Sequence, residues 1–346
     1  MAFTNINKSS DYFSTNLYTG NGGNQTITGV GHQPDWVWFK SRDAGNSHAL
    51  VDIVRGTTKV LYADTNSAEQ TISAQTFNSD GFALVQDSGA NSINSNGSTK
   101  VAWSWKAGAG QGSSNTDGSI NTTYTSVNTT AGFSICQWTG TEAAATVGHG
   151  LGAVPKVMFV KAYDDSGGTD WVLYHHGLGN TKNIRLNNAA AQDTNTNAWN
   201  STTPTSSVFS VGNFNDTNRS GGKILAYCFA EKPGFFSAGT YKGGGNADGS
   251  FVQTNFRPGL VMIKNYETTD QWQMFDSKRG INNAMGFSYP DSAEAETATV
   301  PMDIVSNGFK FRDTSQARNG TNYDFIYMAW AEAPIVGSNN VPANAR

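Results

Sequence analysis

Asp52-x-x-Arg55-Gly56 and Asp276-x-x-Arg279-Gly280 each set a carboxylate and a guanidinium three residues apart at the end of an apolar segment. Such a pair can hold a sugar or another polar ligand, the carboxylate accepting hydrogen bonds and the guanidinium donating them in a planar fork. A third stretch, His175-His176-Gly177-Leu178-Gly179, also closes on glycine but carries neither group. Asp52, Arg55, Asp276, Arg279 and His175 are therefore the candidate ligand-binding residues. The competing reading is that each Asp–Arg pair fixes a turn. The third stretch favours it, because there the same segment is built without either group.

The remaining polar clusters carry less chemistry. Asp164, Asp165 and Asp170 share one loop and Glu267 and Asp270 another, and both loops read as solvated hairpin tips. Glycoside hydrolysis needs two carboxylates facing each other across a cleft. A Ca²⁺ loop is oxygen-rich, but no Asp-x-Asp-x-Asp-Gly run supports one here. His175 and His176 do not read as a metal pair, since neighbours on a strand point to opposite faces and no third ligand is evident. Nothing matches a Gly-x-Ser-x-Gly elbow, a phosphate loop or a dinucleotide fingerprint. No catalytic residue, metal or cofactor is expected.

The elements that position these residues recur three times. Each copy has an anchor, a proline followed by an apolar run ending in lysine: Pro34-Asp-Trp-Val-Trp-Phe-Lys40, Pro155-Lys-Val-Met-Phe-Val-Lys161 and Pro258-Gly-Leu-Val-Met-Ile-Lys264. Upstream stands an aromatic, one residue, then glycine, at Tyr18/Gly20, Trp138/Gly140 and Tyr241/Gly243. Downstream, a second apolar strand closes on Gly56, Gly179 or Gly280, 22, 24 and 22 residues after the anchor proline. Copies one and three then carry Ser79-Asp-Gly-Phe82 and Ser306-Asn-Gly-Phe309, whose Asp-Gly and Asn-Gly steps signal hairpins; copy two is degenerate there. A closing strand ends each copy on Trp105, Phe229 or Trp330, 71, 74 and 72 residues past the anchor proline. Landmarks kept in order at near-equal spacing mark an internal repeat.

Alternation along these strands describes the core. The anchor strand is apolar on both faces, so it is covered on both sides. The closing strand has a large face (Val101, Trp103 and Trp105 in copy one) and a small one (Ala102, Ser104) that lets another sheet or copy approach. Trp36, Trp38, Trp103 and Trp105 therefore read as core. Seven or eight strands per copy, with turns every 8–12 residues, give an all-β chain of three tandem β-sandwich repeats, jelly-roll or lectin-like. The repeats are expected at 1–108, 132–234 and 235–335, with a Gly/Ser/Thr/Asn connector at 109–131 and a tail at 336–346. The short join at Glu231-Lys232-Pro233-Gly234 puts copies two and three in contact, and the longer connector lets copy one stand apart.

Composition narrows the function. Of 346 residues 14% are charged and the net charge is −4, with no Lys/Arg cluster to track a phosphate backbone, so nucleic acid is not an expected partner. No apolar run reaches the ~20 residues of a membrane span, and the first residues lack the apolar segment of a signal peptide. Cys136 and Cys228 are too few for a disulfide framework. They read as reduced, buried thiols in a protein made in a reducing cytosol, although their strands also allow them to face each other.

The segment Gly31-His-Gln-Pro-Asp-Trp-Val-Trp-Phe-Lys-Ser-Arg42, with Asp52-Ile-Val-Arg-Gly56, Ser79-Asp-Gly-Phe82 and Ala102-Trp-Ser-Trp-Lys-Ala-Gly108, resembles a repeat domain of marine tailed-bacteriophage (cyanophage- or pelagiphage-like) virion structural proteins. Copies two and three fit this pattern more loosely, and copy two lacks the Asp–Arg signature. The resemblance covers most of residues 12–335. It implies a non-enzymatic virion component, tail-associated and fibre- or adhesion-like, with other virion proteins as partners, homo-oligomerisation, and a host-surface glycan as the ligand class. A capsid decoration or knob protein and a carbohydrate-binding adhesin module are the alternatives. A glycan-degrading enzyme would need the facing carboxylates described above.

Overall fold

The computed structural model describes residues 4–73, 75–85, 93–280 and 286–336; the expected tail lies outside them from 337 onward. Among the described residues the chain is all-β, with helix limited to three short turns. Three large antiparallel sheets follow one another. The first has the order Phe13–Thr19, Thr99–Trp105, Trp36–Ser41, Ala49–Asp52, Lys59–Tyr62, Gln70–Thr71. The second runs Tyr124–Asn128, Phe133–Thr139, Lys223–Ala230, Pro155–Ala162, Val172–His175, Lys182–Arg185, Asp193–Thr194. The third runs Phe236–Lys242, Asp324–Pro334, Phe256–Asn265, Gln273–Asp276, Phe287–Ser288. In every sheet the closing strand returns between the copy's first strand (Phe13–Thr19, Phe133–Thr139 or Phe236–Lys242) and the anchor strand, antiparallel to both.

A small sheet faces each large one. In copy one it is Gln25–Thr28, Gly81–Leu84 and Thr76–Asn78; in copy three, Phe251–Gln253, Gly308–Phe311 and Met302–Val305. The Asp-Gly and Asn-Gly steps form the tight turns there, with Asn78 opposite Gly81 and Val305 opposite Gly308. Copy two, degenerate at this point, pairs only Ala145–Gly148 with Val208–Val211. The buried Trp199 packs edge-on against Tyr174 within the same core.

The two faces of the anchor and closing strands serve different cores. Val37, Phe39, Val51 and Ala102 pack inside copy one against Phe82 and Leu84 of its small sheet. Trp36, Trp38, Trp103 and Trp105 point the other way, into a core that also holds Phe159, Tyr227 and Phe229 of copy two and Leu260, Met262 and Trp330 of copy three. The large face of the closing strand thus fills a core common to all three copies. Its small face lets the small sheet of its own copy approach.

Two expectations are corrected here. Copy one does not stand apart, because its tryptophans sit in the shared core. The 109–131 tract is also more than a connector. Asp35 accepts the backbone N–H groups of Ala107, Ala109 and Gly110, Ile120 bridges Val147, and Tyr124–Asn128 pairs along its whole length with residues 133–137 to become the edge of the second sheet. Its Gly/Ser/Thr/Asn composition signals a lack of apolar side chains, but an edge strand needs only its backbone groups.

The aromatic-x-Gly landmark has a steric cause. A Cβ on Gly20, Gly140 or Gly243 would lie 2.2, 2.3 or 2.1 Å from the carbonyl oxygen of Ser95, Arg219 or Gly320, where no side-chain atom fits. Each of these glycines lies beside a buried asparagine hub. Asn94 donates to the Gly23 carbonyl, Asn218 to those of Ala143 and Gly212, and Asn319 to those of Asn246 and Asp313.

Candidate functional site

The register identifies structural equivalents without reference to side chains. Asp52 lies opposite Trp36, His175 opposite Val157 and Asp276 opposite Leu260, in each case two residues beyond the anchor proline. Asp52, His175, Asp276 and Arg279 are buried and Arg55 is half-buried, with the side chains of Asp52, Arg55, Asp276 and Arg279 only 0–1% exposed. Each Asp does fix its own turn, accepting from the backbone N–H and the Nε of its Arg: 2.9 and 2.6 Å for Asp52, 3.0 and 2.5 Å for Asp276. Arg55 reaches on to Glu69 at 3.2 Å, and Arg279 to Glu296 at 3.5 Å.

Each of the three positions also bonds to the next copy. Asp52 Oδ2 accepts the Tyr227 hydroxyl of copy two at 2.8 Å. Asp276 Oδ2 accepts the Trp103 indole N–H of copy one at 3.2 Å. Between copies two and three the position is His175, whose Nδ1 accepts from the Gly177 N–H, leaving Nε2–H to donate to the Tyr327 carbonyl at 3.1 Å. Trp103, Tyr227 and Met328 occupy matching places on the closing strands, opposite Trp38, Phe159 and Met262. Where the closing strand offers a donor, the neighbour supplies a carboxylate. Where it offers Met328, the neighbour has His175, and Leu178 takes the place of the arginine.

The anchor lysines repeat this logic. Lys40, Lys161 and Lys264 are all buried. Each donates to a carbonyl of its own copy (Asn46, Thr169 and Asp270) and to one of another: Ala293 at 2.8 Å, Asn66 at 3.2 Å and Ala189 at 2.8 Å. Burial pulls all three ammonium groups down to about 8, with nearby carboxylates such as Asp64, Asp170 and Asp291 pulling back. Backbone bonds follow the same circuit: Glu69 N–H to Tyr163 O, Gln192 N–H to Tyr266 O, and Glu296 N–H to Arg42 O. So do the indoles of Trp171 and Trp272, which donate to Tyr62 O and Arg185 O. Copy one joins two, two joins three, and three joins one. The head-to-tail contact closes as a ring inside one chain.

At the middle of the ring the three closing aromatics meet. Ring centroids lie 5.5 Å apart for Trp105–Trp330, 5.2 Å for Phe229–Trp330 and 6.5 Å for Trp105–Phe229, all edge to face. Phe13, Phe133 and Phe236 pack around them from the first strands. Each fully buried aromatic of this kind contributes about 2–3 kcal/mol through the apolar area it withdraws from water.

The other polar groups also find partners. Asp164 and Asp165 hold Arg219, Asp170 holds Arg185, Asp270 accepts from Asn265 and Thr268, and Glu267 accepts the Asp324 N–H. His175 and His176 do not diverge: the strand ends at His175, and the two rings stack with centroids 5.1 Å apart. Burial holds both histidines below their ordinary range, His175 at about 3. Both thiols are free and buried. Among the described residues no group of three or more His, Cys, Asp or Glu could hold a metal ion, and no helix is long and apolar enough to cross a membrane.

The sequence reading missed the donors Tyr227 and Trp103, the role of the anchor lysines and the asparagine hubs. One signal was available: an asparagine stands eleven residues before each closing aromatic, at Asn94, Asn218 and Asn319. The chain matches a family model described as a domain of unknown function (DUF7483) over residues 8–334. That match spans all three sheets. No curated protein matches the chain.

Proposed function

This chain belongs to the DUF7483 family, and we propose that it is a non-enzymatic structural protein of a bacteriophage virion, tail-associated and of fibre or adhesion type. The observation that carries this reading is where its polar chemistry goes. The Asp–Arg pairs and the three anchor lysines, the groups best suited to bind or react, are buried and spent on joining one copy to the next. What reaches the surface is loops that differ between copies, carried on a rigid frame, which is how scaffold proteins commonly present recognition surfaces. A host-surface glycan is the ligand class such loops would meet.

A second reading, a capsid decoration protein, is favoured by one feature: three like units closed into a ring suit a position of local threefold symmetry. Antibody labelling of intact particles separates the two. Label along the tail supports the first reading, and label over the capsid shell replaces it with the second. Absence from particles overturns both, as does depolymerisation of host polysaccharide by the purified protein.

A further inference from the structure

The three first strands have equivalent outer edges, and two of them are covered. Beside Phe133–Thr139 lies Tyr124–Asn128, paired in register with Ser126 opposite Ile135. Beside Phe236–Lys242 the His176 ring donates to the Ala238 carbonyl at 2.9 Å, and Gly177 packs against Thr240. The third, Phe13–Thr19, is the outermost strand of its sheet. Tyr12 O accepts from Lys106 and Gly20 N–H donates to Ser98, so even-numbered residues face the closing strand. The N–H and C=O groups of Phe13, Thr15 and Leu17 face outward, and Phe13 and Thr15 line a groove of about 440 Å³ between copies one and three.

We propose that this groove receives an extended, uncharged, hydroxyl-rich segment of another polypeptide, which adds to Phe13–Thr19 as an antiparallel strand. Four observations support this occupant. The chain already seats such a segment, Tyr-Thr-Ser-Val-Asn, at the equivalent edge of copy two. Thr15 Oγ1 and Ser277 Oγ, on opposite walls of the groove, are buried without a hydrogen-bond partner, and Thr15 is only 8% exposed. The rim charges are engaged with one another, Lys278 and Arg257 sharing the Glu332 carboxylate at 3.1 and 2.9 Å, rather than offered to an ionic guest. Finally, Gly259 stands where copy one has Asp35, so no carboxylate ties a neighbouring loop across this opening as Asp35 ties residues 107–110. An exposed edge with Leu17 41% exposed is otherwise a liability that folded proteins cover. This inference is independent of the virion assignment.

The test uses the full-length protein and a synthetic peptide with the sequence of residues 121–131. Amide exchange of Phe13, Thr15 and Leu17 should be fast in the free protein and slow at least tenfold with saturating peptide. Leu17→Pro removes an outward N–H while leaving the bonds to the closing strand, and should abolish peptide binding; Leu17→Lys, which keeps the backbone donor, should weaken it. Three outcomes overturn the proposal. They are no binding at millimolar peptide, binding that survives Leu17→Pro, and outward amides already protected in the free protein. Protection in the free protein that disappears on dilution would assign the edge to a second copy of the chain, and protection that persists would assign it to the chain's own residues.

Discussion

If Asp52 closes the join between copies one and two, replacing it should cost more than the loss of a turn. Its carboxylate accepts the Arg55 N–H, Arg55 Nε and the Tyr227 hydroxyl, and its side chain is fully buried. Asp52→Ala leaves the Arg55 guanidinium, 1% exposed, with Glu69 at 3.2 Å as its remaining counter-charge. Removing one partner of a buried ion pair costs about 3–5 kcal/mol. Tyr227→Phe removes only the hydroxyl, one hydrogen bond to a charged acceptor worth about 1.5–3 kcal/mol. Because the two groups touch, the losses should not add, and the double variant should recover about 1–2 kcal/mol relative to their sum. Urea unfolding of the four proteins, followed by tryptophan fluorescence, measures the cycle. A coupling below about 0.5 kcal/mol would mean that the two residues act independently, and the ring closure inferred at this join would be wrong. The copy two position is an internal control. His175→Ala removes two neutral bonds, to the Tyr327 carbonyl and from the Gly177 N–H, and should cost about 1–3 kcal/mol.

The remaining expectations follow from the same geometry. All five histidines are held below their ordinary range by burial, His32 at about 4 and His175 at about 3. The unfolded chain therefore takes up protons first as pH falls below about 6.5. Stability present above that pH should be lost towards pH 4, by up to about 1.4 kcal/mol per pH unit for each histidine; a flat profile between pH 6.5 and 4 in urea titrations would contradict this. Gly140→Ala places a Cβ against the Arg219 carbonyl and should cost about 1–3 kcal/mol as an overpacked contact. Gly152→Ala, with a positive φ of 66° but open space around it, should cost about 1–2 kcal/mol from backbone strain alone. Residues 1–108 expressed alone would expose Trp36, Trp38, Trp103 and Trp105 and should aggregate or remain unfolded. A soluble, folded monomer by circular dichroism and gel filtration would refute the shared core.

The strand positions were legible because apolar alternation and turn glycines act locally. Trp36-Val-Trp-Phe39 declares a strand covered on both faces, and the Asp-Gly and Asn-Gly turns lie where their chemistry places them. What covers the second face was not legible, because that depends on residues more than a hundred positions away. The closing strand shows the difficulty. Its large and small faces could be read, but which one met a neighbouring copy could not, since bulk alone does not say whose core it fills. The polar pattern misled for a related reason. An Asp–Arg pair at a strand end looks the same whether it awaits a sugar or the hydroxyl of Tyr227. Only the aligned substitution of Met328 for Trp103 and Tyr227, alongside His175 for the two aspartates, hinted that the positions are coupled.

That coupling bears on why the three units share a chain. In a ring of three identical subunits every join must be the same, so a change in the donor has to be answered three times at once. Within one chain each join can change alone. Two joins keep an aromatic donor facing a buried Asp–Arg pair. The third has Met328, His175 and Leu178 instead, and its bond goes to a backbone carbonyl that no substitution can remove. A buried carboxylate without its donor and its arginine would be costly, so all three positions have to differ together. The same freedom explains why the edges of the first strands are treated differently. One is covered by Tyr124–Asn128, one is capped by His176, and the edge at Phe13–Thr19 is left open among the described residues. A homotrimer would present three such edges or none. A fused ring can present one, which makes the binding stoichiometry of the open groove the measurement that connects the fold to its use.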